Sequence, residues 1–143
     1  MTVDPITVEL LRNRIASTME EMDYHLFRSG YSTIVRESRD FSCVVVDAQG
    51  RILVAPWLFL HGAVYYYCVQ RIYEIYGKDD LAEGDVFVTN HPYEGMMPHA
   101  SDMGFFAPIF HDGKLVAFAG TVAHKADVGG TVPGSTYGSA SEL

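Results

Sequence analysis

The feature that most limits the folds open to this chain is an Asp112-Gly113 pair set between two apolar runs, residues 103–110 and 115–122. Asp-Gly readily supplies the two positive-φ residues of a tight hairpin turn, so the runs are expected to pair as antiparallel strands. Asp102 stands ten residues before Asp112, and His124 stands eleven after Gly113. Both therefore fall at the open end of one hairpin, where cross-strand neighbours come within ~5 Å. His99, three residues before Asp102, is carried to the same place.

The other elements follow from periodicity. Asp4-Pro5 has the form of a helix start, with Asp4 as N-cap and Pro5 at the first helical position. Val8, Leu11, Ile15, Met19, Met22 and Leu26 then mark one buried helical face, and Gly30 is its natural stop. Residues 41–46 are nearly all apolar and lack polar alternation through Val44, Val45 and Val46, which predicts a strand covered on both faces. After the turn Asp47-Ala48-Gln49-Gly50, residues 51–55 are expected to return as a first hairpin. Residues 62–76 predict an aromatic second helix ending at Gly77, with Val64, Tyr67, Cys68 and Ile72 or Ile75 inward. A turn at 81–85 and a short strand at 86–88 follow.

This order predicts an α+β fold with a mixed or antiparallel sheet. Beyond His124 the composition turns to Gly, Ser, Thr and Pro, and no packed element is expected after Val132. The first helix has no obvious single partner, and no closing helix or strand follows. Residues 1–143 are thus expected to be one segment of a larger fold, its N-terminal part, with 90–130 as the metal-bearing region.

Of 143 residues 48% are hydrophobic, enough for a core of ordinary density. The formal net charge is −8, and the ten Lys and Arg residues form no basic stripe, which argues against a nucleic-acid partner. Cys43 and Cys68 both lie in apolar surroundings and read as buried free thiols of a reducing compartment. No apolar run approaches the ~18 residues of a membrane helix, and the first residues lack the pattern of a signal peptide. The expectation is a cytoplasmic chain with no membrane partner.

Four of the six histidines lie between His91 and His124, in a stretch with four Gly and three Pro. Two imidazoles and a carboxylate, His99, Asp102 and His124, can hold a divalent ion on one face and leave other positions open. His-x-x-Asp is a weak motif, so spacing leaves open a second reading, in which these are loop histidines hydrogen-bonded to backbone. Asn90-His91-Pro92-Tyr93 is a further candidate: Asn90 and His91 would orient a ligand or touch substrate, or simply form a turn capped by Asn90. Asp127 ahead of Gly129-Gly130 would support the site from behind or belong to a plain turn. His61 is favoured as an ordinary helix start over an anion site. Glu37 and Asp40, beside Arg36 and Arg39, read as a solvated charge cluster. No phosphate loop and no Gly-x-Ser-x-Gly elbow is present.

Taken in order, several segments resemble the hydantoinase B/oxoprolinase family, which includes acetone and acetophenone carboxylase alpha-type subunits. They are Asp4-Pro5-Ile6-Thr7-Val8-Glu9, Glu37-Ser38-Arg39-Asp40-Phe41-Ser42-Cys43, His61-Gly62-Ala63, Asn90-His91-Pro92-Tyr93, Pro98-His99-Ala100-Ser101-Asp102-Met103 and Ala123-His124-Lys125-Ala126-Asp127-Val128-Gly129-Gly130. The resemblance implies that His99, Asp102 and His124 hold manganese, zinc or iron. It implies a hydantoinase A-like partner subunit that binds ATP, the remainder of a hydantoinase B-like subunit, and a small carbonyl or cyclic amide substrate. The chain departs from the family pattern at His91, where many members carry Asp, and at Gly95-Met96-Met97. The alternative is a non-catalytic assembly module, motivated by the aromatic helix at 62–76.

Overall fold

The structure is a computed structural model and describes residues 4–54 and 61–129. Helix α1 (Pro5–Ser29) leads through a π-helical turn (Ile34–Ser38) into strand β1 (Phe41–Asp47). Helix α2 (Gly62–Tyr76) follows, then β2 (Phe87–Thr89), β3 (Asp102–His111) and β4 (Lys114–His124). The four strands form one antiparallel sheet in the order β1-β4-β3-β2. This is the expected α+β architecture, with the sheet antiparallel throughout.

The hairpin forms as the Asp-Gly pair demands. Asp112 and Gly113 have φ values of 50° and 71°. Asp102 pairs with His124, and that register holds to Ile109 opposite Ala117. A bulge then shifts the pairing to Phe110 opposite Leu115, which leaves Val116 as the extra residue on β4. The bulge absorbs the one-residue inequality between the two arms.

β1 joins β4 on its other edge, from Phe41 opposite Ala123 to Asp47 opposite Ala117. The first hairpin expected from sequence is present in short form. Ile52 bridges Val46 in antiparallel register, Asp47 N donates to Arg51 O (2.8 Å) and Leu53 N to Val45 O (3.1 Å), and Ala55 lies outside the described residues. The turn is closed locally: the Asp47 carboxylate accepts bonds from Gln49 N (2.9 Å), Arg51 N (2.9 Å) and Arg51 Nε (2.7 Å).

Alternation through β1 divides the core in two. Val44 and Val46 pack with Tyr65, Cys68, Val69 and Ile72 of α2 and with Phe106, Phe118 and Val122 across the sheet. Val45 packs on the opposite side with Met19 of α1 and Ala117. The strand is therefore covered on both faces, as its unbroken apolar run predicts. Cys43 and Cys68 are both buried and unbridged.

Two inward faces differ from expectation. Val8 and Leu11 are half exposed, and Met19 is the one fully buried residue of α1. At 25 residues, or about 37 Å at 1.5 Å per residue, α1 outruns the seven-residue strand on which it packs. In α2 the buried positions are Tyr65, Cys68, Val69 and Ile72, whereas Tyr67 and Ile75 are exposed. The helix is rotated so that Tyr65 reaches over the sheet to Ser42, where its hydroxyl finds hydrogen-bond partners.

Gly120 of β4 is what admits that ring. A Cβ there would lie 2.9 Å from Tyr65 Cδ1 and 3.3 Å from Phe106 Cε1. Gly120→Val is expected to destabilise the chain by about 1–3 kcal/mol through overpacking, read as a lower urea midpoint; an unchanged midpoint would refute the tight approach. A second expectation concerns acid. Burial pushes the Asp47 carboxyl up, but the bonds from Arg51 and Gln49 outweigh it and hold the group below its ordinary range. A depressed folded value means that this stabilisation is present above the unfolded value of about 3.9 and is lost as pH falls through the lower folded one. Asp47→Ala should flatten the stability curve below about pH 4, and an identical acid limb in the variant would count against the turn's role.

Candidate metal centre

The open end of the β3–β4 hairpin, on the face covered by α2, collects the polar side chains. Asp102 and His124 are direct cross-strand partners there, and both are buried. His99 arrives from the turn before β3, which closes through Asp102 N donating to His99 O (3.1 Å). Lys125 N donates to Ser101 O (2.8 Å) and continues the pairing one step past β4.

One ligand atom from each of His99, Asp102 and His124 falls within 4.8 Å of the other two. His124 Nδ1 lies 3.2 Å from Asp102 Oδ1, and His99 Nε2 lies 3.4 Å from Asp102 Oδ2. The two rings meet edge to face with centroids 4.8 Å apart. Asp102 Oδ1 and His124 Nδ1 are buried and make no hydrogen bond, so their 3.2 Å contact brings atoms together without aligning an N–H on an oxygen. His99 Nδ1, the ring nitrogen other than the one facing Asp102, is likewise buried and unbonded. Buried polar atoms are nearly always bonded, so unpartnered ones in a cluster need a cause. Donors about 2.1 Å from a shared cation lie roughly 3.0–3.4 Å apart, close to the separations seen. The residues fit a divalent ion.

The electrostatics agree with that fit. Only 2% of Asp102 is exposed, and burial alone pushes its carboxyl up. The adjacent His61 imidazole and the charges of His99, His61 and His124 overcome burial and hold the group below the ordinary carboxylate range. The carboxylate is thus anionic in a dry place, and His99, with 43% of its side chain exposed, forms the solvent side of the group.

Asn90 and His91 do not join the three-residue cluster. Asn90 Nδ2 donates to Ala100 O (3.0 Å) and so ties down the turn that carries His99. His91 is exposed, and its Nδ1 accepts from Tyr93 N (3.2 Å) and Glu94 N (3.0 Å). Asp127 accepts from Gly129 N (2.8 Å), as a plain turn would have it.

Two further groups reach the site although their sequence readings are bland. His61, at the start of α2, is buried, with Nε2 3.6 Å from Asp102 Oδ2. Asp40 Oδ2 is 3.6 Å from His124 Nδ1, and Asp40 O accepts from His124 N (3.0 Å). The π-helical turn, with Arg39 at φ 52°, delivers Asp40 there. A π-helical turn leaves no periodic signature in five residues, but such turns gather at functional sites.

The chain is similar in sequence and in fold to known proteins. The chain is 35% identical over 133 residues to 5-oxoprolinase 1 of Arabidopsis thaliana, covering 92% of this chain and 10% of that protein. An ATP-dependent caprolactamase from Pseudomonas jessenii superposes with a TM-score of 0.81 at 27% identity, over 93% of this chain and 23% of that one. A nucleotide-free acetone carboxylase superposes with a TM-score of 0.76 at 25% identity, over 92% of this chain and 18% of that one. The chain thus spans less than a quarter of the length of each of these proteins. The sequence profile of one family runs through α1, the sheet and the histidine cluster alike, matching residues 4–143, and by that match the chain belongs to the hydantoinase B/oxoprolinase family.

Proposed function

We propose that this chain carries the divalent-metal site of an ATP-dependent enzyme acting on a small carbonyl compound, as a carboxylase, or on a lactam- or hydantoin-type ring, as an amide hydrolase. The carrying observation is the convergence of His99, Asp102 and His124 with buried atoms that lack hydrogen bonds. ATP would be bound by a hydantoinase A-like partner subunit, and the remainder of a hydantoinase B-like subunit would complete the site. Support for the ATP requirement comes from the caprolactamase and the acetone carboxylase, each described as ATP-dependent.

His99, Asp102 and His124 would hold the ion, and a donor set of two nitrogens and a carboxylate suits manganese, zinc or iron. When bound, such an ion supplies Lewis acidity toward a carbonyl oxygen or a water molecule. The chain's own groups do the rest of the positioning. Asp102 contributes the negative charge from a buried place, and the exposed side of His99 leaves an approach for substrate. Asn90 holds the His99 turn through Ala100, and His91 stands on the adjoining loop as the residue proposed to touch substrate.

The full chain should purify with one divalent ion per copy by elemental analysis, and Asp102→Ala or His124→Ala should lose it. Stoichiometric metal retained by His124→Ala would sink the ligand assignment. With its ATP-binding partner, the wild-type assembly should hydrolyse ATP in the presence of either a simple ketone with bicarbonate or a cyclic amide. ATP turnover indifferent to both substrates would sink the reaction class.

A further inference from the structure

Behind Asp102 runs a buried polar chain. His61 Nε2 faces Asp102 Oδ2 at 3.6 Å, and His61 Nδ1 lies 3.1 Å from Ser42 Oγ. Ser42 Oγ lies 2.7 Å from Tyr65 Oη, which also donates to Ser42 O at 2.9 Å. All four residues are buried: Ser42, Tyr65 and Asp102 are each no more than 2% exposed and His61 6%. The chain unites β1, the start of α2 and the start of β3, three elements far apart in sequence.

We infer that His61 is a positioning residue that aims the Asp102 carboxylate at the metal centre, with its own ring set by Ser42 and Tyr65; the inference rests on the metal reading above. The direction of the protons supports it. Tyr65 has a single hydrogen; shared between Ser42 O (2.9 Å) and Ser42 Oγ (2.7 Å) as a three-centre bond, it leaves the Ser42 hydroxyl hydrogen free for His61. If Ser42 donates its hydroxyl hydrogen to His61 Nδ1, the neutral ring carries its proton on Nε2 and presents a donor to Asp102. The reverse arrangement sets a nitrogen lone pair against an anionic oxygen, which is repulsive. At 3.6 Å the contact is just longer than a hydrogen bond, and a small rotation of the carboxylate closes it. Asp102 Oδ2, which also lies 3.4 Å from His99 Nε2, would then be fixed by His61, with Oδ1, which has no hydrogen bond, held facing His124 Nδ1 at 3.2 Å. Groups that orient a metal-ligating carboxylate in this way tune affinity without touching the ion.

The test uses the full chain and Mn2+ or Zn2+ alone, with dissociation constants from competition against a chromophoric chelator. His61→Ala should weaken binding about 10–100-fold at unchanged stoichiometry, and His61→Gln, whose amide can still donate to Asp102, should recover most of the loss. Tyr65→Phe keeps the ring beside Gly120 and removes only the hydroxyl. It should weaken binding less than His61→Ala, and should have no effect once His61 is already Ala. A folded His61→Ala that binds as tightly as wild type, or full additivity of the Tyr65 and His61 changes, overturns the inference. If His61→Ala does not fold, unchanged affinity in Tyr65→Phe overturns it instead. Wild-type protein with no affinity for either ion overturns the metal reading together with this one.

Discussion

β4 is paired along both edges, to β1 on one side and β3 on the other, and that double pairing is the constraint on which the rest depends. Side chains alternate across a sheet with a period of two, so one register decides which residues share a face. Phe118, Gly120, Val122 and His124 look toward α2, and Ala117 and Ala123 look toward α1. A slip of one residue would turn His124 away from Asp102 and put Phe118 on the wrong side of the sheet. The apolar core and the polar cluster are therefore held by the same hydrogen bonds.

The cluster lies where burial is most costly. An anionic carboxylate withdrawn from water needs opposite charge or donors close by, and Asp102 has three imidazoles around it. A chain optimised only for stability would fill this corner with apolar side chains. The corner instead holds atoms without hydrogen-bond partners beside a chain of well-bonded ones, Ser42, His61 and Tyr65. Rigid support beneath and unsatisfied lone pairs above are the attributes of a binding centre.

Much of the fold is legible in the sequence because it is local. The Asp-Gly turn, the Asp4 cap and the stops at Gly30 and Gly77 act within a few residues and stand at their expected places. The return after Gly50 also stands where expected, with its turn closed over four residues by the Asp47 side chain and its pairing with β1 carried to Leu53. The helical faces depart from periodicity where packing outranks it. Val8 and Leu11 run past β1, and Tyr65 takes the inward place expected of Tyr67 because Gly120 leaves room for its ring. At the centre, His99, Asp102 and His124 can be assembled from one hairpin, whereas His61 and Asp40 cannot. Their contacts cross from α2 and from the π-helical turn to the end of the sheet, and nothing in their neighbours announces those distances.

By itself, then, the sequence determined the local elements, the hairpin and the approach of three ligand types at its open end, since turn chemistry and strand period act over short spans. It also determined family membership, through the order of its segments. The tertiary structure alone decided that β1 lies against β4, that α2 sets His61 over Asp102, and that Asp40 reaches His124. Those choices follow from filling both faces of one sheet, a condition that couples residues many positions apart and leaves no periodic trace in the chain.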